Sequence, residues 1–298
     1  MSRDVALAPY TTYGIGGRAD YFWEAPSLDS LKKGLHFAGD EGIPLFLLGG
    51  GSNVLFADEG IRGMVLRNAA SGLVFRGSTV MADSGLPLEC LLKEARALSL
   101  GGLEFLAGIP GTVGGALYGN AGAYGRSISE TLVKATLIDA GGIEREVGPD
   151  YFEFRYRHSS LKHTREIILT ATLELRERDS DSIGREMEAI MAERREKHPW
   201  HHGSCGCFFK NVATDDPGGR KLAAGKLLDS VGARGLARGR ALVYEKHCNF
   251  LINAGGATAR DILSLAALLK EKVREAHHIT LEEEVQIIGE RPPWERSI

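Results

Sequence analysis

The order of apolar and polar positions predicts a chain of short strands and amphipathic helices. Residues 19–25 (ADYFWEA) alternate weakly and read as a strand. Ser27 stands where a cap for a helix over 28–39 is expected. Residues 44–48 (PLFLL) form an apolar run that ends in three glycines, the order in which α/β proteins place a ligand loop. Further strands are expected at 61–67, 79–83, 131–139 and 166–175. Over 86–98, Leu88, Leu91, Leu92 and Ala95 recur at helical spacing. A polar junction at Asp179–Ser182 precedes an amphipathic, charged helix over 183–197. Beyond it, helices are expected at 221–231 and 258–275, the latter capped by Thr258 and Asp261, with strands at 242–244, 249–253 and 284–288. The pattern is α/β, or α+β, and divides near 178. One domain is expected over 1–178, with subdomains of about 1–67 and 68–178, and a second over 179–298.

Composition narrows the function classes. Hydrophobic residues make up 43% and charged residues 25% of the 298, enough for a packed core. With 36 basic and 39 acidic residues the net charge is −3, which argues against a nucleic-acid binder. No run of about 18 apolar residues occurs, so no membrane partner is expected. The first residues, Met1-Ser2-Arg3-Asp4, lack the order of a secretion signal. Four cysteines in a chain of this length suit free thiols in a reducing cytoplasm. Glycine is in excess, 38 of 298 against a usual ~7%, and is concentrated in a few clusters.

Three clusters could carry chemistry. Gly49-Gly50-Gly51-Ser52-Asn53 can turn at positive φ and present amides to an anion, or can be a tight surface turn. The stretch from Gly108 to Gly125 is glycine-dense, and close approach of backbone to a large ligand explains it better than core packing does. It is neither a dinucleotide fingerprint nor a Walker loop. In Gly203-Ser204-Cys205-Gly206-Cys207-Phe208-Phe209-Lys210-Asn211 two readings compete. Cys205 and Cys207 with His201, His202 and Cys248 could hold zinc, although the spacing is not the common one. Alternatively one cysteine is a catalytic acid or nucleophile in an accessible turn, or both thiols are inert.

From Thr11 to Gly289 the chain resembles the UDP-N-acetylenolpyruvoylglucosamine reductase (MurB) family. The resemblance is carried, in order, by Thr11–Gly17 (TTYGIGG), Gly49–Leu55 (GGGSNVL) and Gly108–Gly115 (GIPGTVGG). It continues through Asn120–Gly125 (NAGAYG), Phe154–Ser159 (FRYRHS), Gly206–Asn211 (GCFFKN), His247–Phe250 (HCNF) and Leu281–Val285 (LEEEV). Only fifty residues separate Arg157 from Cys207, similar to the shorter class of the family, which lacks an extra substrate-covering loop.

The resemblance implies an FAD-binding domain of the p-cresol methylhydroxylase/vanillyl-alcohol oxidase type and a C-terminal α+β substrate-binding domain. It implies FAD as bound cofactor and NADPH as co-substrate, with UDP-N-acetylglucosamine enolpyruvate reduced to UDP-N-acetylmuramate for peptidoglycan synthesis. FAD would be held by Gly49, Gly50, Gly51, Ser52 and Asn53, by Ile109, Gly111, Thr112, Gly114 and Gly115, and by Asn120, Ala121, Gly122 and Ala123. Arg157 and Glu284 would polarise the developing enolate, and Cys207, where most of the family carries serine, would give the proton. A thiol, with an ordinary pKa of ~8.5, releases a proton more easily than an alcohol. Tyr156, Lys197, Lys210 and Asn211 match substrate-binding positions, Asn249 lies in a stretch where a structural role is equally expected, and a monomer is favoured. The competing readings are an FAD-dependent oxidase of the same architecture, a zinc hydrolase and a non-catalytic nucleotide-binding module.

Overall fold

In the computed structural model, which describes residues 1–164, 166–214 and 221–289, the chain forms two units, each with its own apolar core. The first takes residues 1–2, 21–50 and 63–194, and the second takes 3–20, 51–62 and the chain from 195 onward. The chain therefore passes between units five times, and residues 179–194 belong with the first.

The first unit is built around two sheets. The strands Leu45–Leu48 and Ile61–Asn68 pair in parallel, with Leu45 opposite Met64, so Leu48 delivers the chain directly into the glycine run. Helix α1, Leu28–Asp40, starts at Ser27, whose hydroxyl accepts from the Ser30 amide at 3.2 Å. Its Leu31 joins Ala25, Leu66, Ile138 and Leu169 in one cluster. A five-stranded antiparallel sheet follows in the order Glu144–Val147, Leu132–Ile138, Ile167–Glu174, Thr79–Asp83, Leu73–Arg76. Helix α2, Leu88–Ala97, buries Leu88, Leu91, Leu92 and Ala95, the four positions that the spacing selects. Helix α3, Val113–Gly119, lies inside the glycine-dense stretch, where sequence periodicity predicts none. Helix α4, Ser180–Lys197, begins three residues earlier than expected. The Asp179 carboxylate accepts from the Ser182 amide at 2.7 Å, so the polar junction is itself the cap.

The second unit centres on α6, Ala259–His277, whose Thr258 and Asp261 form the expected capping box. Asp58 adds to it, accepting from the amides of Ala259 and Arg260 at 2.7 and 3.0 Å. The acceptors thus satisfy amides that a helix start otherwise leaves unpaired. Alongside lie α5, Ala224–Ser230, and an antiparallel sheet of Ala237–Arg238, Ala241–Val243 and Leu251–Asn253. Strand Gln286–Ile288 pairs in parallel with Val54–Phe56. Three bounds are shorter than expected, for one reason: backbone groups are used elsewhere. Leu222 pairs with Val212 rather than starting α5. The Asn249 carbonyl accepts from the Phe208 amide, and the Glu284 amide donates to the Phe208 carbonyl. No helix among the described residues is long and apolar enough to cross a membrane.

Candidate active site

In the first unit the two glycine clusters abut. A side chain on Gly50 would stand 2.9 Å from the Gly111 Cα, and one on Gly49 would stand 2.8 Å from the Thr112 Oγ1. The backbones can approach this closely only because both positions are bare. Thr112 turns the second cluster into α3: its hydroxyl accepts from the Gly115 amide at 3.3 Å. Gly114 is held by its amide, which donates to the Ser84 carbonyl at 2.8 Å, and Ile109 donates to the Leu106 carbonyl at 2.9 Å.

Asn120 closes α3 with left-handed φ of +45°. Its side chain is 7% exposed; Nδ2 donates to the Arg155 carbonyl at 3.0 Å, whereas Oδ1 is buried and has no hydrogen-bond partner among the described residues. A buried acceptor of this kind costs free energy until a donor reaches it. Ala121 hydrogen-bonds back to the Ala116 carbonyl at 2.7 Å, and Gly122 and Ala123 pair with Ser127 and Arg126 in a narrow hairpin. A backbone cradle of small residues with one waiting acceptor fits a large ligand that carries N–H and O–H donors, as FAD does.

Arg157 is fastened to this cradle. Its Nη1 donates to the Gly122 carbonyl at 3.0 Å, and its guanidinium carbon lies 5.4 Å from the centroid of the Tyr156 ring, which is 39% exposed. The structure thus brings together Asn120, Gly122, Tyr156 and Arg157, which lie up to 37 residues apart in sequence.

In the second unit, Gly51 has φ of +64°, and a side chain there would strike the Tyr10 carbonyl at 2.0 Å. Ser52 follows, half-buried, and then Asn53. The Asn53 Nδ2 donates to the Glu284 carbonyl at 3.1 Å, and its own carbonyl accepts from Gln286 at 3.0 Å. The Glu284 amide donates to the Phe208 carbonyl at 2.8 Å. Half-buried Cys207 and Glu284 therefore sit on adjoining segments: Glu284 donates the hydrogen bond, and Cys207 is one residue from its acceptor, Phe208.

Asn249 is the residue whose weight the sequence understates. It is 1% exposed; Oδ1 accepts from the Phe209 amide at 2.9 Å and Nδ2 donates to the Phe209 carbonyl at 2.8 Å. Together with its own carbonyl, which accepts from the Phe208 amide, it fixes the segment that carries Cys207. The signal available beforehand was an amide side chain next to the apolar run Phe250-Leu251-Ile252.

The other thiols differ from Cys207. Cys205 is buried, donates to the Val54 carbonyl at 3.0 Å, and burial pushes its thiol far above the ordinary range. Burial also raises the Cys248 thiol, which lies 3.5 Å from Asp229. His201 and His202 are exposed, and no group of three or more His, Cys, Asp or Glu among the described residues could hold a metal. Of the matched substrate positions, Lys197 ends α4 and Lys210 forms an ion pair with Glu282 at 3.0 Å. The Asn211 Oδ1 accepts from the Ala224 amide at 3.1 Å, at the start of α5, where Ala223 offers no cap of its own.

Residues 19–148 match the profile of an FAD binding domain, and 198–288 match the C-terminal domain of UDP-N-acetylenolpyruvoylglucosamine reductase. The chain is 38% identical to the UDP-N-acetylenolpyruvoylglucosamine reductase of Clostridium novyi (strain NT), over 97% of this chain and 92% of that protein. Against the protein of the same name from Rubrobacter xylanophilus the identity is 37%, over 96% and 95%. Among solved structures, the UDP-N-acetylenolpyruvylglucosamine reductase of Thermus caldophilus superposes with a TM-score of 0.81 at 34% identity, covering 96% of this chain and 98% of that one.

Proposed function

The chain belongs to the UDP-N-acetylenolpyruvoylglucosamine reductase family, and we propose how its residues divide the work of that reaction. The enzyme is an FAD- and NADPH-dependent oxidoreductase that reduces UDP-N-acetylglucosamine enolpyruvate to UDP-N-acetylmuramate. Bound FAD supplies the hydride chemistry, and the protein supplies placement and electrostatics. In this reading residues 1–178 form the flavin domain, which also lends Tyr156 and Arg157 to the substrate, and 179–298 form the substrate-binding domain.

FAD is assigned to Gly49, Gly50, Gly51, Ser52 and Asn53, to Ile109, Gly111, Thr112, Gly114 and Gly115, and to Asn120, Ala121, Gly122 and Ala123. The Asn120 Oδ1, buried and without a partner among the described residues, would accept from a donor of the cofactor. Arg157 braces the negative charge that builds on the substrate carboxylate and the carbon beside it. Its planar, permanently charged fork suits a carboxylate. Glu284, protonated, donates a hydrogen bond to the same charge, and such fixed donors act at the transition state rather than on the ground state. Cys207 then gives its proton to carbon and leaves as thiolate, to be reprotonated from water. Tyr156, Lys197, Lys210 and Asn211 are assigned to the UDP-sugar. The observation that carries the reading is the shared hydrogen bond between Phe208 and Glu284, which sets acid and polarising group on adjoining segments.

The reading places the enzyme in the cytoplasm, as a monomer, in peptidoglycan precursor synthesis. The test is anaerobic: the purified protein is bleached with NADPH, then mixed with UDP-N-acetylglucosamine enolpyruvate. Rapid substrate-dependent return of the yellow band is expected. A protein that bleaches and recovers only when oxygen is admitted would instead be an oxidase of the same architecture.

A further inference from the structure

Arg157 stands at the tip of a very tight turn. Arg155 and His158 exchange both backbone hydrogen bonds at 3.1 Å, which leaves Tyr156 and Arg157 outside the pair. Arg157 has φ of +53°, in the left-handed region. Residues with a side chain enter it at a cost and stay only where the surroundings impose it. The flanks of the turn are tied to α3: Asn120 Nδ2 donates to the Arg155 carbonyl at 3.0 Å, and Ser159 Oγ donates to the Tyr118 carbonyl at 2.7 Å. The strained residue itself is held by a different group. The Lys162 ammonium donates to the Arg157 carbonyl at 2.8 Å, and its Nζ lies 5.8 Å from the centroid of the Tyr118 ring.

We propose that Lys162 is a positioning residue for the reduction: its ammonium anchors the Arg157 carbonyl and thereby fixes the direction in which the guanidinium leaves the turn. Three features point this way. The bond is charge-assisted, hence stronger than the neutral bonds that tie the flanks. It reaches the one residue of the turn tip whose φ is positive rather than the core. Finally, the guanidinium has a second fixed point, the Gly122 carbonyl, so anchoring the backbone leaves the long side chain little freedom. A lysine kept half-buried between an aromatic face and a carbonyl also loses hydration, which a surface role would not require.

The inference rests on the reading that Arg157 braces the developing charge, and the experiment separates the two. Lys162→Met, Lys162→Arg, Arg157→Ala and the double variant Lys162→Met/Arg157→Ala are compared for kcat, KM, melting temperature and calorimetric affinity of the oxidised holoenzyme for substrate. Arg157→Ala is expected to lower kcat about a hundredfold or more, as loss of one charge-stabilising donor does. Lys162→Met is expected to lower kcat about tenfold or more, since small misplacements of a reacting group are costly. Affinity and flavin reduction by NADPH should stay within about twofold of wild type, because the ground state is not what the contact serves. Lys162→Arg, which keeps charge and donors, should recover most of the loss. The double variant should be no slower than Arg157→Ala alone. Unchanged kcat in Lys162→Met, beside a slow Arg157→Ala, would overturn the inference and leave the reading of Arg157 intact. So would a double variant slowed by the product of the two single effects. A Lys162→Met protein with a lowered melting temperature and equal losses in both half-reactions would mark a structural role and also overturn it. Arg157→Ala with undiminished kcat would overturn the reading itself.

Discussion

At the residue scale, thiols close in sequence stand in different surroundings. Cys207 is half-buried and flanked by Gly206, whereas Cys205 and Cys248 are buried and their thiols are pushed up by desolvation. Cys207→Ala is therefore expected to slow reoxidation of reduced flavin by substrate by about a hundredfold or more, the usual contribution of a positioned acid. Bleaching by NADPH should be unchanged. Equal reoxidation rates in stopped flow would remove Cys207 from the mechanism. The sequence offered these thiols as candidates, but not their separation into half-buried and buried ones, because two positions apart in a chain says nothing about burial. His247 gives a second prediction. Burial, and after it the charges of Arg234 and Lys197, lower its pKa below the ordinary histidine value of about 6.5. A histidine with a depressed folded pKa binds its proton more readily when unfolded, so its contribution to stability is complete above about 6.5 and is lost as pH falls below that. The melting temperature should fall between about pH 7 and pH 5, and His247→Gln should fall less over the same range. Parallel curves would count against the assignment.

At the element scale, the legible parts were those with a period, whether capped or, like α2, without a side-chain cap. Helix α6 has its capping box and seven buried positions, and α1 has Ser27 and Leu31. Helix α3 has neither a full period nor a polar exterior, only Val113, Ala116 and Leu117 buried among glycines, so the sequence there reads as a glycine-dense loop and conceals the helix. Its start nonetheless depends on one hydroxyl. Thr112→Ala should destabilise the protein by about 1 kcal/mol, the usual worth of such a cap. It should also weaken retention of FAD, measured as flavin released on dilution, since Gly111 and Gly115 flank it. Thr112→Ser, which keeps the acceptor, should restore both. A Thr112→Ala protein with wild-type stability and flavin content would show that the adjoining glycine backbones hold the loop unaided.

At the scale of the whole molecule, the pattern of elements was readable and the grouping of elements was not. Hydrophobic periodicity reports on neighbours within about 20 residues. The pairing of Gln286 with Val54 spans more than 200. Strand Gln286–Ile288 is short, yet Leu281 and Val285 before it are buried in the second core. Ending the chain at 279 removes both, at roughly 1.5–3 kcal/mol for each buried apolar side chain, together with the parallel pairing. Since a domain's whole stability is about 5–15 kcal/mol, the shortened protein should lose cooperative melting of the second unit. A single sharp transition like that of the full chain would show that the strand is dispensable.

The same long pairing bears on how the protein is made. The first unit is complete once residue 194 has been synthesised, but the second gathers 3–20, 51–62 and everything after 195. On the ribosome, then, its early segments emerge with apolar side chains such as Tyr13, Ile15 and Leu55 exposed, and wait for partners that come last. At ~5–20 residues per second that delay is of the order of ten seconds or more, ample time for a chaperone to bind them or for neighbouring nascent chains to associate.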